Sequence, residues 1–241
     1  FNIRAKQIIG TNGNQFRTLY DQFVRFRNTP KLPDIYLDAI SPIIKVTELE
    51  HKIQNNNSLN PEGRVLIHPF AGWKEKEWNF KKFISLAEKI NMNFKVCIMS
   101  QPDQISQDIL SEIENMNIEV IQSGSVAQLI ECIKDCLLFI GNDSGPVNVA
   151  KYLGKPTYTI YGATNPDYTE MENYHQIYIQ KKLNCSAQKN DKLCIIGGMI
   201  YSCSGVQCMN LINTEEVYRK LLPLLREYCK TKNNEDTIAY N

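Results

Sequence analysis

The sequence predicts an α/β fold, a doubly wound parallel sheet, on three observations. From about Arg64 the chain alternates short apolar runs with segments of helical spacing, the pattern of parallel strands joined by helical crossovers. The apolar runs are brief and bounded by Gly, Pro and Asn, and none approaches the ~20 residues of a membrane span. The 241 residues, 43% hydrophobic and 22% charged, suffice to bury a full core without disulfide staples.

In chain order, Val65-Leu66-Ile67 is the first buried strand. Asn79 caps a helix whose apolar positions Phe80, Phe83, Ile84, Ala87 and Ile90 keep helical spacing. Phe94 to Met99 reads as a strand, Ile105 to Ile113 as a helix, and Ile118 to Ile121 as the third strand. Ser125 with Gln128 makes a capping box that opens a helix through Ile133. Leu137 to Ile140 is the fourth strand, followed by the loop Gly141 to Pro146 and a short helix, Val147 to Leu153, stopped by Gly154. After Pro156, Thr157 to Tyr161 is the fifth strand, so a sheet of five or six strands is expected between Arg64 and Tyr161.

The flanks are less regular. Residues 1 to 60 show a strand-like piece at Gln7 to Ile9, a helical piece at Leu19 to Phe26, and the solvated linker Asn55-Asn56-Asn57-Ser58. Near the other end, Thr214 is expected to cap an amphipathic helix with Val217, Leu221, Leu222 and Leu225 on one side, and Glu215 and Glu216 suit its positive end. Lys230 to Asn241 reads as a polar tail. The chain opens on Phe1 in mid-element, and Phe1 to Gly10 is neither a secretory signal nor a transit peptide, so a fragment or processed product is expected.

Charge excludes one class of partner. Lys plus Arg number 27 and Asp plus Glu 26, a net charge of +1 that makes no case for nucleic-acid binding. Of eight cysteines, Cys97, Cys132, Cys136 and Cys229 lie in apolar periodic segments and behave as small hydrophobes. Cys185, Cys194, Cys203 and Cys208 share one 24-residue loop-like stretch, spaced C-x8-C-x8-C-x4-C. That spacing lacks the paired knuckles of a zinc site, so free thiols lead, with local disulfides or a metal site as weaker alternatives. The missing signal sequence favours a reducing cytosol.

Two strand-to-helix segments carry the chemistry. In Phe139-Ile140-Gly141-Asn142-Asp143-Ser144-Gly145-Pro146-Val147-Asn148-Val149-Ala150 a buried strand turns through two glycines into a helix with Pro146 near its first position. Ligands of open α/β sheets bind beyond the carboxyl ends of strands, and free amides at a helix start attract anions. Gly145 would let a phosphate approach and Ser144 would add a hydroxyl; the plainer alternative is a tight turn with Asp143 as the cap. In Ile67-His68-Pro69-Phe70-Ala71-Gly72-Trp73-Lys74-Glu75-Lys76-Glu77-Trp78, at the same sheet edge, Lys74 and Lys76 offer cations, against the plainer alternative that both are solvated and Trp78 packs under the helix. His68 continues an apolar strand and reads as a core residue.

Together these segments resemble glycosyltransferase family 9, the heptosyltransferase family of bacterial lipopolysaccharide assembly. The family's His-Pro-Gly-Ala, Lys-x-Trp, Asp-(Ser/Thr)-Gly-Pro-Met-His-x-Ala and Gly-x-Pro-Thr motifs appear here, in order, as His68-Pro69-Phe70-Ala71, Lys76-Glu77-Trp78, Asp143 to Ala150, and Gly154-Lys155-Pro156-Thr157. The late cysteine cluster is also similar, and the likeness covers roughly residues 60 to 229. Two positions depart: Phe70 stands where the family has Gly, and Asn148 where it has a titratable His.

The resemblance implies the GT-B arrangement of two Rossmann-like domains. Residues 1–60 would be a remnant of the acceptor domain and linker, 61–229 the nucleotide-sugar-binding domain, and 230–241 a polar tail. It implies an inverting, metal-independent transferase without a cofactor, taking a nucleotide-diphosphate sugar such as ADP-heptose to a lipopolysaccharide-core or other glycan acceptor. Donor binding would fall to Lys76, Asp143, Ser144, Gly145 and Asn148, with Asp103 a weaker candidate for the ribose. Asp143 would orient loop or sugar hydroxyls rather than meet phosphate, because two anions repel. The catalytic base is expected in an N-terminal portion the chain lacks. Cytoplasmic residence with a peripheral contact at the inner membrane completes the expectation. The alternatives are a non-catalytic nucleotide-sugar-binding module, or a nucleotide-sugar epimerase of the same architecture.

Overall fold

The computed structural model describes residues 6–11, 20–25, 38–39, 41–43, 60–169, 176–187, 191–194, 203 and 205–238, with side chains to 228. Eight strands are described: β1 (Ile9–Thr11), β2 (Gln22–Val24), β3 (Val65–His68), β4 (Val96–Ser100), β5 (Glu119–Gln122), β6 (Leu138–Asn142), β7 (Thr157–Tyr161) and β8 (Gln176–Gln180). The helices are α1 (Phe80–Asn91), α2 (Gln107–Asn115), α3 (Val126–Lys134), α4 (Gly145–Tyr152), α5 (Gln207–Asn210) and α6 (Thr214–Ile238). Six strands form one sheet in the order β5-β4-β3-β6-β7-β8, every neighbouring pair parallel. The order runs outward in one direction from β3 and in the other from β6, so the chain reverses direction across the sheet between them.

Strand alternation divides the core into two layers. Val65, Ile67, Ile98, Leu138 and Ile140 face a cluster that takes in Phe83, Leu86 and Ile90 of α1, Leu110 and Ile113 of α2, and Val217, Leu221 and Leu225 of α6. Leu66, Cys97, Met99 and Phe139 face the other way, against Ile133 of α3 and Val147 and Ala150 of α4. Full burial of each such side chain is worth about 1.5–3 kcal/mol, which is why a sheet covered on both faces reads as continuous apolar runs.

Several local expectations hold. The Asn79 side chain accepts from Lys81 N–H and Ser125 Oγ from Gln128 N–H, each at a helix start. Gly154, at φ 71°, follows the last turn of α4 in a conformation that disfavours side chains. Others are corrected. Gln22–Val24, expected within a helix, is a strand paired in parallel register with Ile9–Thr11, because Ile8 O accepts the Asp21 and Gln22 N–H groups. Five strands fall between Arg64 and Tyr161, and the sixth, β8, lies beyond that range. It is an edge strand, with Ile179 buried and Tyr178 exposed, and half-exposed alternation over Gln-Ile-Tyr-Ile-Gln is a weak signal. The segment from Lys230, expected as a tail, continues α6 as far as Ile238. The linker at Asn55 to Ser58 lies outside the described residues.

The cap of α6 also moves by one residue. Asn213 Oδ1 accepts from Glu216 N–H at 2.8 Å, the geometry of an N-cap, whereas Thr214 Oγ1 donates to Lys82 O at 3.4 Å. Asn213→Ala is therefore expected to cost about 1 kcal/mol, a fall of about 2–4 °C in Tm, and Thr214→Ala less. Thermal unfolding of the two variants side by side checks the assignment; a larger loss at Thr214 would return the cap to it.

Candidate functional site

The crevice lies outside the carboxyl ends of β3 and β6, where the strand order reverses and open α/β sheets present their ligand sites. The β6 strand runs through Asn142, α4 begins at Gly145, and only Asp143 and Ser144 lie between. This turn is tighter than the sequence suggests, because both ends of the expected loop are drawn into the flanking elements. Asn142 is fully buried and ties the two motif loops together. Its Oδ1 accepts from Trp78 N–H at 2.9 Å and its Nδ2 donates to Pro69 O at 2.7 Å. Within the same loop Ala71 N–H donates to Glu77 Oε1 at 3.0 Å. The Trp78 indole donates to Ile212 O at 2.9 Å, anchoring the loop to the segment before α6.

Ser144 is the N-cap of α4, but its side chain makes no capping bond and its buried Oγ has no partner. The amides of the first turn lack intrahelical acceptors, as at any helix start. Asp143 does not cap; it turns to Lys76. Lys76 Nζ lies 2.7 Å from Asp143 Oδ2, which also accepts from Thr164 Oγ1 at 2.7 Å. The pair is partly dry, with side-chain exposures of 17% for Lys76 and 5% for Asp143. The neighbouring Lys74 is exposed, so the two lysines of the loop have different surroundings.

A cavity of about 290 Å³ opens here, lined by Trp73, Lys76, Asp143, Ser144, Gly145 and Asn148 among others. The buried Asn148 Oδ1 has no partner. A Cβ built at Gly145 would meet nothing within 4 Å, and the residue has no positive φ, so neither packing nor backbone conformation demands glycine there. The far wall comes from the segment after β7. Thr164 bridges to Leu193, and Asn165 N–H donates to Lys192 O, which brings Lys192 to the cavity. That wall is braced from below: Lys151, fully buried on α4, donates to Tyr161 Oη at 3.1 Å, and Tyr161 Oη lies 2.6 Å from Thr169 Oγ1 at the cavity.

A second cavity, about 440 Å³, lies across Pro146 and is lined by His68, Met99, Ser100, Ser123 and Leu129 among others. His68 Nδ1 and Ser100 Oγ are buried there without partners. Burial pushes the His68 imidazole from its ordinary 6.5 down to about 4, so it is neutral near pH 7.

Of the residues singled out from sequence, Lys76, Asp143, Ser144, Gly145 and Asn148 converge on the smaller cavity. Asp103 does not join them: it is exposed, at φ 63°, in the turn after β4, and its neighbours Gln101 and Pro102 line the larger cavity instead. Phe70 leaves the crevice free, its ring packing against Phe80 at 5.4 Å and edge-on to His68 at 6.0 Å. Asn142, Thr164, Lys192, Trp73 and Ser100 were not singled out; the one available signal was an Asn closing an apolar strand. Cys185, Cys203 and Cys208 are free thiols, and the Cys208 thiol is pushed up chiefly by burial and then by Cys194, Cys203 and Cys185. Among the described residues no group of three or more His, Cys, Asp or Glu could hold a metal ion. No helix among them is long and apolar enough to cross a membrane.

The fold and crevice define an α/β protein with a polar cavity at its topological switch point. The family model of glycosyltransferase family 9 (heptosyltransferase) matches residues 19–199, and the chain belongs to that family. It is 46% identical over 59 residues to lipopolysaccharide heptosyltransferase 1 of Campylobacter coli, covering 24% of this chain and 17% of that protein. It is 30% identical over 103 residues to lipooligosaccharide heptosyltransferase 2 of Haemophilus ducreyi, covering 39% of this chain and 30% of that protein. The matches thus span less than a third of either curated relative. In fold it is similar to a family 9 glycosyl transferase from Veillonella parvula, with TM-score 0.64, 19% identity, and coverage of 92% of this chain and 68% of that one. It is also similar to ADP-heptose lps heptosyltransferase II of E. coli, with TM-score 0.52, 21% identity, and coverage of 81% and 56%.

Two outcomes follow from this geometry. Asn142→Ala strips partners from a buried amide N–H and a buried carbonyl and is expected to cost about 2–5 kcal/mol, read by urea unfolding; a loss under 1 kcal/mol would show that the loops hold without it. As pH falls from about 6.5 to about 4, the unfolded chain binds a proton that folded His68 refuses, so stability declines across that window. His68→Gln should flatten that part of the stability–pH profile, and a slope equal to wild type would refute the assignment.

Proposed function

We propose that the chain is the donor-binding half of an inverting glycosyltransferase that uses a nucleotide-diphosphate sugar, with residues 1–60 belonging to the acceptor side. The supporting observation is the smaller cavity, where a lysine ammonium, a free helix start at a glycine that nothing structural requires, and two unpartnered polar side chains meet. A helix start with adjacent cation is an anion site, and the open space over Gly145 suits a diphosphate. The cavity across Pro146, with Met99 and Leu129 on its walls, suits the nucleoside, and the polar one suits the sugar. The names of the relatives, with the motif resemblance, favour ADP-heptose as donor and a lipopolysaccharide-core glycan as acceptor. Such an acceptor would bring the protein to the cytoplasmic face of the inner membrane by peripheral contact.

In the reaction, an acceptor hydroxyl oxygen forms the new bond to the anomeric carbon while the bond from that carbon to the diphosphate oxygen breaks, inverting the centre. The electron pair leaves with the nucleoside diphosphate, and the hydroxyl proton goes to a base on the acceptor side. Lys76 and the amides at Ser144 and Gly145 stabilise the charge that develops on the departing group. Asp143 holds Lys76 in place and turns sugar hydroxyls, not phosphate, toward itself. Asn148 favours one competing reading: it can hydrogen-bond a sugar but cannot carry a proton, as suits a module that binds nucleotide sugars without turning them over.

Calorimetric titration with ADP tests the proposal. Lys76→Ala is expected to weaken binding about ten- to hundred-fold, the loss of one charge-assisted contact of about 1.5–3 kcal/mol. Lys74→Ala, its exposed neighbour, should shift affinity far less. Gly145→Ala should fold at least as well as wild type, since alanine favours a helix, yet bind more weakly because its methyl fills the phosphate space. Equal losses from both lysines would mean a general basic loop, and no change in either Lys76→Ala or Gly145→Ala would remove the diphosphate from this cavity.

A further inference from the structure

The chain has two tryptophans, and the fold treats them oppositely. Trp78 is buried in the core with its indole N–H bonded. Trp73, five residues earlier in the same loop, is 41% exposed and lines the smaller cavity. It belongs to neither core cluster, so its bulk is not explained by packing. Its position is nonetheless defined. Lys76 Nζ lies 4.7 Å from the ring centroid, a cation–π contact, and Trp73 O accepts from Lys76 N–H at 3.1 Å. Beside it, a Cβ at Gly72 would meet nothing within 4 Å, so the space next to the ring is open.

We infer that Trp73 is the platform on which the glycosyl ring of the nucleotide sugar lies, by its C–H face. The inference rests on the donor-site reading and extends it to the sugar. If Lys76 meets the terminal phosphate, the group bonded to that phosphate is next to the indole that the same ammonium touches. That group is the transferred sugar. A sugar ring presents a patch of C–H bonds on one face and hydroxyls around its rim. The electron-rich indole face attracts the polarised C–H patch, as aromatic faces attract positive edges generally. The rim then meets acceptors and hydroxyls on the other walls: Asn148 Oδ1, Thr164 and Thr169 all line this cavity, and Asn148 Oδ1 has no partner. A nucleobase is the other flat group that could stack here, but on the donor-site reading it goes to the cavity lined by Met99, Leu129 and Pro146. Trp73 thus sets the preference for a donor that carries a sugar over the bare nucleoside diphosphate.

The experiment compares ADP with ADP-heptose on the full chain, in wild type, Trp73→Phe and Trp73→Ala, by calorimetry and tryptophan emission. The quantity read is the ratio of the two affinities, which separates the sugar contact from the phosphate contact. Trp73→Ala is expected to lower the preference for ADP-heptose about ten-fold, and Trp73→Phe to keep it within about two-fold, since a ring remains. In wild type ADP-heptose should change the emission more than ADP does, and the difference should vanish in Trp73→Phe, where only buried Trp78 emits. An unchanged ratio in Trp73→Ala, or an equal fall in Trp73→Phe, overturns the platform while leaving the donor site standing. Failure of the wild type to bind either compound overturns the donor site and the platform with it.

Discussion

The Asn142 side chain, fully buried at the end of β6, bonds Trp78 N–H through its oxygen and Pro69 O through its nitrogen, and the shape of the crevice follows from those two bonds. An amide is the right group for the position, because it donates and accepts at once from one planar unit. Aspartate would offer only acceptors to the Pro69 carbonyl, and an apolar residue would leave both backbone groups dry and unpaired. The clamp fixes both ends of the segment between β3 and α1 against the strand that feeds α4. Lys76 lies within that clamped segment and Asp143 directly follows the clamp, so their meeting at 2.7 Å is a consequence of where Asn142 holds the backbone.

The electrostatics of the smaller cavity follow from the same placement. A lysine beside an unpaired helix start would be a strong, indiscriminate anion trap. Asp143 moderates it, since its carboxylate neutralises Lys76 and repels a second anion. Thr164 donates to the same carboxylate oxygen, which orients the charge without adding to it. On the donor-site reading, this arrangement would favour a phosphate ester carrying hydroxyl groups over a free inorganic anion. On that reading Lys76 would be shared between carboxylate and phosphate, which would leave neither partly buried charge unpaired.

What sequence could reveal here divides by the range of the interactions concerned. The strands β3, β4, β6 and β7 were legible because burial on both faces writes itself as unbroken apolar runs, and Asn79 and Ser125 because caps act over two or three residues. The edge strand β8, half exposed, carried too little of that signal. Leu19 to Phe26 failed for a different reason: its apolar spacing fits a helix, and only pairing with Ile9–Thr11 makes Gln22–Val24 a strand. In the crevice, Lys76, Asp143, Ser144, Gly145 and Asn148 were reached through the motif resemblance, whereas Asn142, within the same motif, and Thr164 and Lys192 owe their places to contacts across the fold. Asp103 shows the converse, a carboxylate near a strand end that sits exposed at φ 63° and lines neither cavity, although its neighbours Gln101 and Pro102 line the larger one.

The two departures from the family pattern fall on different parts of the crevice, and that difference constrains what they change. Phe70 stands where the family pattern has a glycine in the loop after β3, but its ring turns toward Phe80 and His68, and Lys76 meets Asp143 beside the helix start. Asn148 lies one helical turn beyond Ser144, lining the polar cavity with an unpartnered oxygen where the family pattern has an imidazole. An amide there accepts a hydrogen bond at every pH and never carries charge, whereas a histidine would do either according to its protonation. On the donor-site reading, the substitution would leave phosphate recognition alone and alter how the sugar end is read, so it is the sugar, more than the nucleotide, in which this chain would differ from relatives that keep the histidine.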